Sequence, residues 1–141
     1  MARTVDVIGD RWSLLILRDV FDGIRRFSAL QRNLGVAKNI LSDRLRTLTS
    51  HGVLALQAAS DGSAYNEYVL TERGTELFYV VVALRQWGEA NLFAGDEAHS
   101  ELRERETDRL VPRLQLLDSR GQPLSPDGAY VRKVGAPVGA G

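Results

Sequence analysis

The chain predicts a mainly α-helical fold carrying one small β-hairpin, an α+β arrangement, and three observations lead there. Between Arg11 and Ser50 apolar residues recur at helical spacing in three separate runs. An Asp-Gly turn at Asp61-Gly62 lies between two short strand-like runs. From Thr71 a further run, to about Phe93, reads as one long helix.

The first helix should span Arg11 to Phe21, with Trp12, Leu15, Ile16, Val20 and Phe21 near one face and Asp22-Gly23 as the stop. After Arg25-Arg26, the segment Phe27 to Leu34 has apolar residues at 27, 30 and 34 and ends at Gly35, which predicts a short helix and a tight turn. A third helix is expected from about Ala37 to Ser50, where Ala37, Leu41, Leu45 and Leu48 form a buried stripe and His51-Gly52 closes it. At about 100° per residue, Asn39, Ser42, Asp43 and Arg46 fall opposite that stripe, with Lys38 nearer its edge.

Residues 53–56 and 65–70 read as the two strands of the hairpin, joined by the small and polar residues 58–63. Thr71 then caps the long helix. Its middle, Leu77 to Leu84, is apolar nearly all round, so it needs cover on more than one side, and a partner subunit supplies that most economically. Beyond Ala94 the pattern weakens. Residues 101–109 read as a weak charged helix, 113–117 and 130–134 as two short strands with turns at 121–123 and 126–128, and 135–141 as a loose Gly- and Ala-rich tail.

Composition narrows the function. The 141 residues are 44% hydrophobic, enough for one core, and 18 basic side chains balance 18 acidic ones. The charges are segregated: residues 1–57 hold nine basic and five acidic side chains, residues 58–141 nine and thirteen. Such a local basic patch can bind phosphate although the whole chain is neutral. Without cysteine there is no disulfide, thiolate metal site or thiol switch, and two histidines are too few for a metal centre. The apolar stretch at residues 14–17 is too short for a signal core or a membrane span, so a cytoplasmic location without membrane association is expected. No nucleophile–base pair, phosphate-cradling glycine loop or ligand spacing suggests an enzyme or a cofactor.

Helix, short helix, tight turn, helix and hairpin follow in the order of a winged helix-turn-helix, whose third helix enters the major groove of double-stranded DNA. Residues 1–94 are thus expected to form a DNA-binding and dimerisation domain, and 95–141 an extension. On the third helix, Lys38, Asn39, Ser42 and Arg46 suit base edges: Asn pairs with adenine, Lys or Arg with guanine, Ser with several groups. Arg25, Arg26, Arg32 and Arg44 are expected on phosphates, which position without specifying. The wing tip at Asp61, Gly62 and Ser63 is not basic and should contribute weakly. Leu77, Val81, Leu84 and Trp87 are the expected dimer contacts.

These residues resemble the HxlR-type winged helix-turn-helix regulators, relatives of the MarR and PadR groups, over roughly Thr4 to Phe93. The resemblance is carried by Val7-Ile8-Gly9-Asp10-Arg11-Trp12-Ser13-Leu14-Leu15-Ile16-Leu17-Arg18, by Gly23 with Arg26-Phe27-Ser28-Ala29-Leu30, and by Asn39-Ile40-Leu41-Ser42-Asp43-Arg44-Leu45-Arg46 with Leu48 and His51-Gly52-Val53. Tyr68-Val69-Leu70-Thr71-Glu72-Arg73-Gly74 and Trp87-Gly88 complete it. The resemblance implies a dimeric DNA-binding regulator, with dimer contacts from the N-terminal segment and the long helix, and 37–50 as the recognition helix. Many members carry a cysteine just before the stretch matching Ala2-Arg3-Thr4. This chain starts too late to contain one, which leaves a truncated start open and assigns no thiol switch. Some members also carry paired cysteines on a C-terminal hairpin, where this chain has Leu117-Asp118-Ser119-Arg120-Gly121, so packing alone is expected to hold that hairpin.

The leading expectation is a transcriptional regulator acting as a homodimer on an inverted repeat, with half-sites about 34–36 Å apart. A small-molecule effector bordered by the long helix and the C-terminal hairpin is a secondary expectation, because closing the dimer core explains the same residues. The alternative is a winged-helix protein-interaction module that does not read DNA, which the neutral charge and non-basic wing favour slightly and the Arg25-Arg26 pair and polar outer face of the third helix oppose.

Overall fold

The structure, a computed structural model, describes residues 1–135. The chain divides into two compact units, Met1–Leu92 and Phe93–Gly141. In the first unit the elements are α1 (Ala2–Ile8), α2 (Arg11–Phe21), α3 (Phe27–Leu34), α4 (Lys38–Ser50), β1 (Leu54–Ala58), β2 (Asn66–Leu70), α5 (Glu72–Thr75) and α6 (Phe78–Asn91). The strands form one antiparallel pair with Leu54 opposite Leu70 and Leu56 opposite Tyr68.

The predicted apolar stripes converge on one core. Ile16 and Leu17 of α2, Leu30 of α3, Leu41, Leu45 and Leu48 of α4 and Leu54 of β1 are all buried together. Polar contacts then set the helix angles. The Asp10 carboxylate accepts the Ser13 backbone N–H at 3.0 Å and so caps α2. Buried Asp19 accepts from Asn33 Nδ2 at 2.7 Å and Arg18 Nε at 3.0 Å, tying α2 to α3. Gly35 ends α3 with φ of 64°, a left-handed conformation that a side chain disfavours, and turns the chain into α4.

Two features of this unit differ from the sequence expectation. The first is α1, seven residues rich in β-branched side chains and without a periodic stripe of their own. Val7 and Ile8 pack against the core, and that tertiary contact overrides a weak helical propensity. The second is the long helix, which is broken between Thr75 and Phe78. Thr71 caps α5 by accepting the Gly74 N–H at 3.0 Å and donates its hydroxyl hydrogen to the Gly52 carbonyl, which pins α5 to the start of β1. Phe78 meanwhile packs on Phe21 of α2, with ring centres 5.4 Å apart. One straight helix cannot serve both anchors, so the axis is reset at Glu76-Leu77.

The second unit also departs from expectation. Residues 101–109 form no helix: Asp108 has φ of 54°, and Arg103 pairs with Glu101 at 2.7 Å while donating to the Asp108 carbonyl at 2.5 Å, which closes the segment as a turn. Strands at 113–117 and 130–134 do not pair. Among the described residues this unit holds two isolated bridges, Arg103 to Leu110 and Leu117 to Pro123, and a 3₁₀ turn at Pro126–Gly128. The hairpin thus shrinks to residues 117–123. Packing alone does not hold it: the Asp118 carboxylate accepts the backbone N–H groups of Arg120 and Gln122 at 2.8 and 2.9 Å. Of the expected loose tail, all but Gly135 lies outside the described residues. Among the described residues no helix is long and apolar enough to cross a membrane.

Candidate nucleic-acid interface

The outer face of α4 follows from its inner one. With Leu41, Leu45 and Leu48 buried, Lys38, Asn39, Asp43 and Arg46 stand exposed on the other side and Ser42 is half-buried beside them. Among the described residues, the Lys38, Asn39, Ser42 and Arg46 side chains make no hydrogen bond or ion pair within the protein, and neither does Arg32 of α3. Ser42 and Arg46 also line an open groove of about 470 Å³ between α4 and the hairpin, with Leu45, Thr49, Ser50, Leu56 and Tyr68 as the other walls.

The remaining arginines expected on phosphate are already engaged. Arg44 Nε donates to Asp10 Oδ2 at 2.9 Å and Arg44 Nη1 to Asp43 Oδ2 at 2.6 Å. Arg44 therefore fastens α4 to the cap of α2, because it sits at the edge of the buried stripe, where Asp10 approaches. Arg26 donates to Asp61 and Ser63 of the wing, and Arg25 lies 3.9 Å from Glu67 of β2. Of the four, Arg32 alone is unengaged among the described residues.

Burial pushes the Asp10 carboxyl up, but hydrogen bonds from Ser13 and Arg44 outweigh it and hold it below its ordinary value of 3.8. A folded-state value below the unfolded one contributes stability that is complete above about pH 4 and disappears as pH falls through the depressed value. We therefore expect Asp10→Ala to flatten the acid limb of a thermal-stability profile below about pH 4. A limb of unchanged slope would show that other carboxylates govern acid unfolding.

The wing tip Asp61, Gly62 and Ser63 forms the expected turn, with the Asp61 carboxylate accepting the Ser63 N–H at 2.9 Å. Two wing residues escaped the sequence reading. Tyr65 lies beneath the Arg26 guanidinium, 5.2 Å from ring centre to carbon. Glu67 is buried, accepts from Ser60 at 3.3 Å and leaves its second oxygen without a hydrogen bond. The available signal was electrostatic: from Val53 to Leu70 the only charges are Asp61 and Glu67, opposite in sign to Arg25-Arg26.

The four residues grouped as dimer contacts do not share a face. Leu77 and Val81 pack against the core of their own chain, whereas Leu84 and Trp87 are 51% and 58% exposed. With Val80 they form an apolar outer strip on α6, with Tyr79 exposed on a neighbouring face, which the all-round hydrophobicity could not separate from the inner face. Among the described residues no cluster of histidine, aspartate and glutamate could hold a metal ion.

Comparison with known proteins agrees with this architecture. The family model described as HxlR-like helix-turn-helix matches residues 7–96. An uncharacterised HTH-type transcriptional regulator of Mycobacterium tuberculosis is 45% identical over 92 residues, which is 65% of this chain and 58% of the relative, so the chain spans less than two thirds of that relative's length. A crystal structure of PA1607, a candidate transcription factor, is 50% identical with a TM-score of 0.87, over 94% of this chain and 92% of that one. A second candidate transcription factor, PA1374 from Pseudomonas aeruginosa, is 31% identical with a TM-score of 0.64, over 96% of this chain and 92% of that one. A tight turn between α3 and α4, a hairpin after them and a family match from residue 7 to beyond the end of the first unit lead to one conclusion: the chain belongs to the HxlR-like helix-turn-helix family.

Proposed function

We propose that the protein is a transcriptional regulator that binds double-stranded DNA sequence-specifically as a cytoplasmic homodimer on an inverted-repeat operator. The observation that carries this reading is the outward face of α4, where Lys38, Asn39, Ser42 and Arg46 present donors and acceptors that no protein group satisfies among the described residues. A major groove admits one helix and offers base edges that complement such groups. Unengaged Arg32 is the first candidate for phosphate. Pairing through the outer strip of α6 would supply the two recognition helices that an inverted repeat with half-sites about one DNA turn apart requires. A signal would act by favouring one separation of those helices over another.

The roles are separable by experiment. Arg46→Ala should cost about 1–3 kcal/mol at one operator position and relax preference there, whereas Arg32→Ala should weaken operator and scrambled duplex alike and lower the salt slope by about one. Equal effects of both substitutions on every sequence would remove the assignment. The second reading, a protein-interaction module, is favoured by the internal pairing of Arg25, Arg26 and Arg44. It predicts no salt-sensitive binding of the wild type to any duplex.

A further inference from the structure

The arginine pair that precedes α3 meets an acidic wing. Arg26 Nη2 donates to Asp61 Oδ2 at 2.5 Å and to Ser63 Oγ at 3.1 Å, while its guanidinium covers the Tyr65 ring. Arg25 faces Glu67 at 3.9 Å, and its backbone carbonyl accepts the Tyr68 N–H at 2.7 Å. These contacts bring residues 25 and 26 to residues 61–68, so they are tertiary and dock the hairpin on the start of α3. The two carboxylates differ in burial. The Glu67 side chain is 9% exposed and anchors the base of the wing, whereas Asp61 and Arg26 are 58% and 35% exposed at its tip.

We propose that the Arg26–Asp61 pair latches the wing tip in the DNA-free protein, and that a DNA phosphate displaces the Asp61 carboxylate from Arg26. Asp61 then sets the affinity for any duplex without reading sequence. An exposed ion pair is weak and opens without unfolding its surroundings. A phosphate, like the carboxylate it replaces, offers anionic oxygens that a guanidinium binds through strong, charge-assisted hydrogen bonds. Left in place, the Asp61 charge would face the incoming backbone and repel it. Buried Glu67 keeps the base of the hairpin fixed while the tip exchanges partners. The latch itself stands on the geometry of the free protein, and only the exchange rests on the DNA-binding reading.

Asp61→Asn is the informative variant, because the amide oxygen can still accept the Ser63 N–H and preserve the turn while the charge on Arg26 is released. In the free protein, hydrogen exchange of the amides at 59–65 should accelerate in Asp61→Asn and in Arg26→Ala, with no further gain in the double variant. Unchanged exchange in Arg26→Ala would overturn the latch. On DNA, Asp61→Asn should tighten operator and scrambled duplex alike by about two- to fivefold, the range an exposed pair commands. That gain should fall to half or less when Arg26 is already alanine. An equal gain in both backgrounds would mean that Asp61 acts through its charge alone and would overturn the exchange. Absence of wild-type binding to either duplex would overturn the exchange together with the DNA reading, while the amide exchange would still decide the latch.

Discussion

Trp87→Asp should convert the proposed dimer to a monomer and weaken operator binding by about a hundredfold or more. In a two-fold interface each substitution acts twice. An exposed tryptophan on one strip with Leu84 and Val80 has the character of an interface anchor, worth about 2 kcal/mol or more when truncated. A buried carboxylate in its place adds a desolvation cost without a partner. Loss of the dimer also removes the second half-site, and with it an avidity gain of about 10² to 10⁴. Sedimentation at micromolar concentration, with circular dichroism to confirm an unchanged helix content, checks the result. Leu84→Asp should act in the same way. A folded Trp87→Asp dimer would sink the assignment of this strip. Val81→Asp is the contrasting variant: Val81 packs against the core of its own chain, so its substitution should unfold the protomer rather than release it.

Gly74→Ala should be among the most destabilising single-methyl additions in the first unit. A Cβ at this position would stand 2.0 Å from the Val53 carbonyl oxygen and 3.2 Å from a methyl of Leu70. The same carbonyl accepts the Thr71 N–H at 3.1 Å, so the helix cannot move away without losing the bonds that seat it. We expect about 2–3 kcal/mol of lost stability, the upper range for overpacking a rigid site. For a unit of this size that corresponds to a fall of roughly 10–20 °C in melting temperature. An unchanged melting temperature would show that α5 does not sit against Val53 as the structure places it. The phrase Tyr68-Val69-Leu70-Thr71-Glu72-Arg73-Gly74, visible in the sequence as part of the family resemblance, thereby acquires a mechanical reason: a hydroxyl caps the turn and a glycine lets it approach the strand.

The elements that were legible in the sequence are those whose apolar spacing is local. Leu41, Leu45 and Leu48 marked one face of α4 and thereby exposed Lys38, Asn39, Ser42 and Arg46 on the other, since a helix of fixed pitch with a buried stripe has no freedom about what faces outward. Gly35 and the Asp-Gly at the wing tip likewise marked their turns through backbone conformation alone. What depended on distant residues was not legible. The helical state of residues 2–8, the break before Phe78, and the division of Leu77 and Val81 from Leu84 and Trp87 are all set by where α2 and β1 lie.

Charge pairing shows the same divide more sharply. Composition gives the front half an excess of basic over acidic charge, and no local rule says which arginines will find a carboxylate. Folding brings Asp10 to Arg44, Asp61 to Arg26 and Glu67 toward Arg25, across separations of 34 to 42 residues, and leaves Arg32, Lys38 and Arg46 without such a partner among the described residues. The sequence by itself determined the helix-turn-helix with its hairpin and the face that looks outward, because periodicity and turn chemistry act within a few residues. Only the tertiary structure decided which cations remain available, because an ion pair requires two side chains to meet and that meeting is a property of the packed chain.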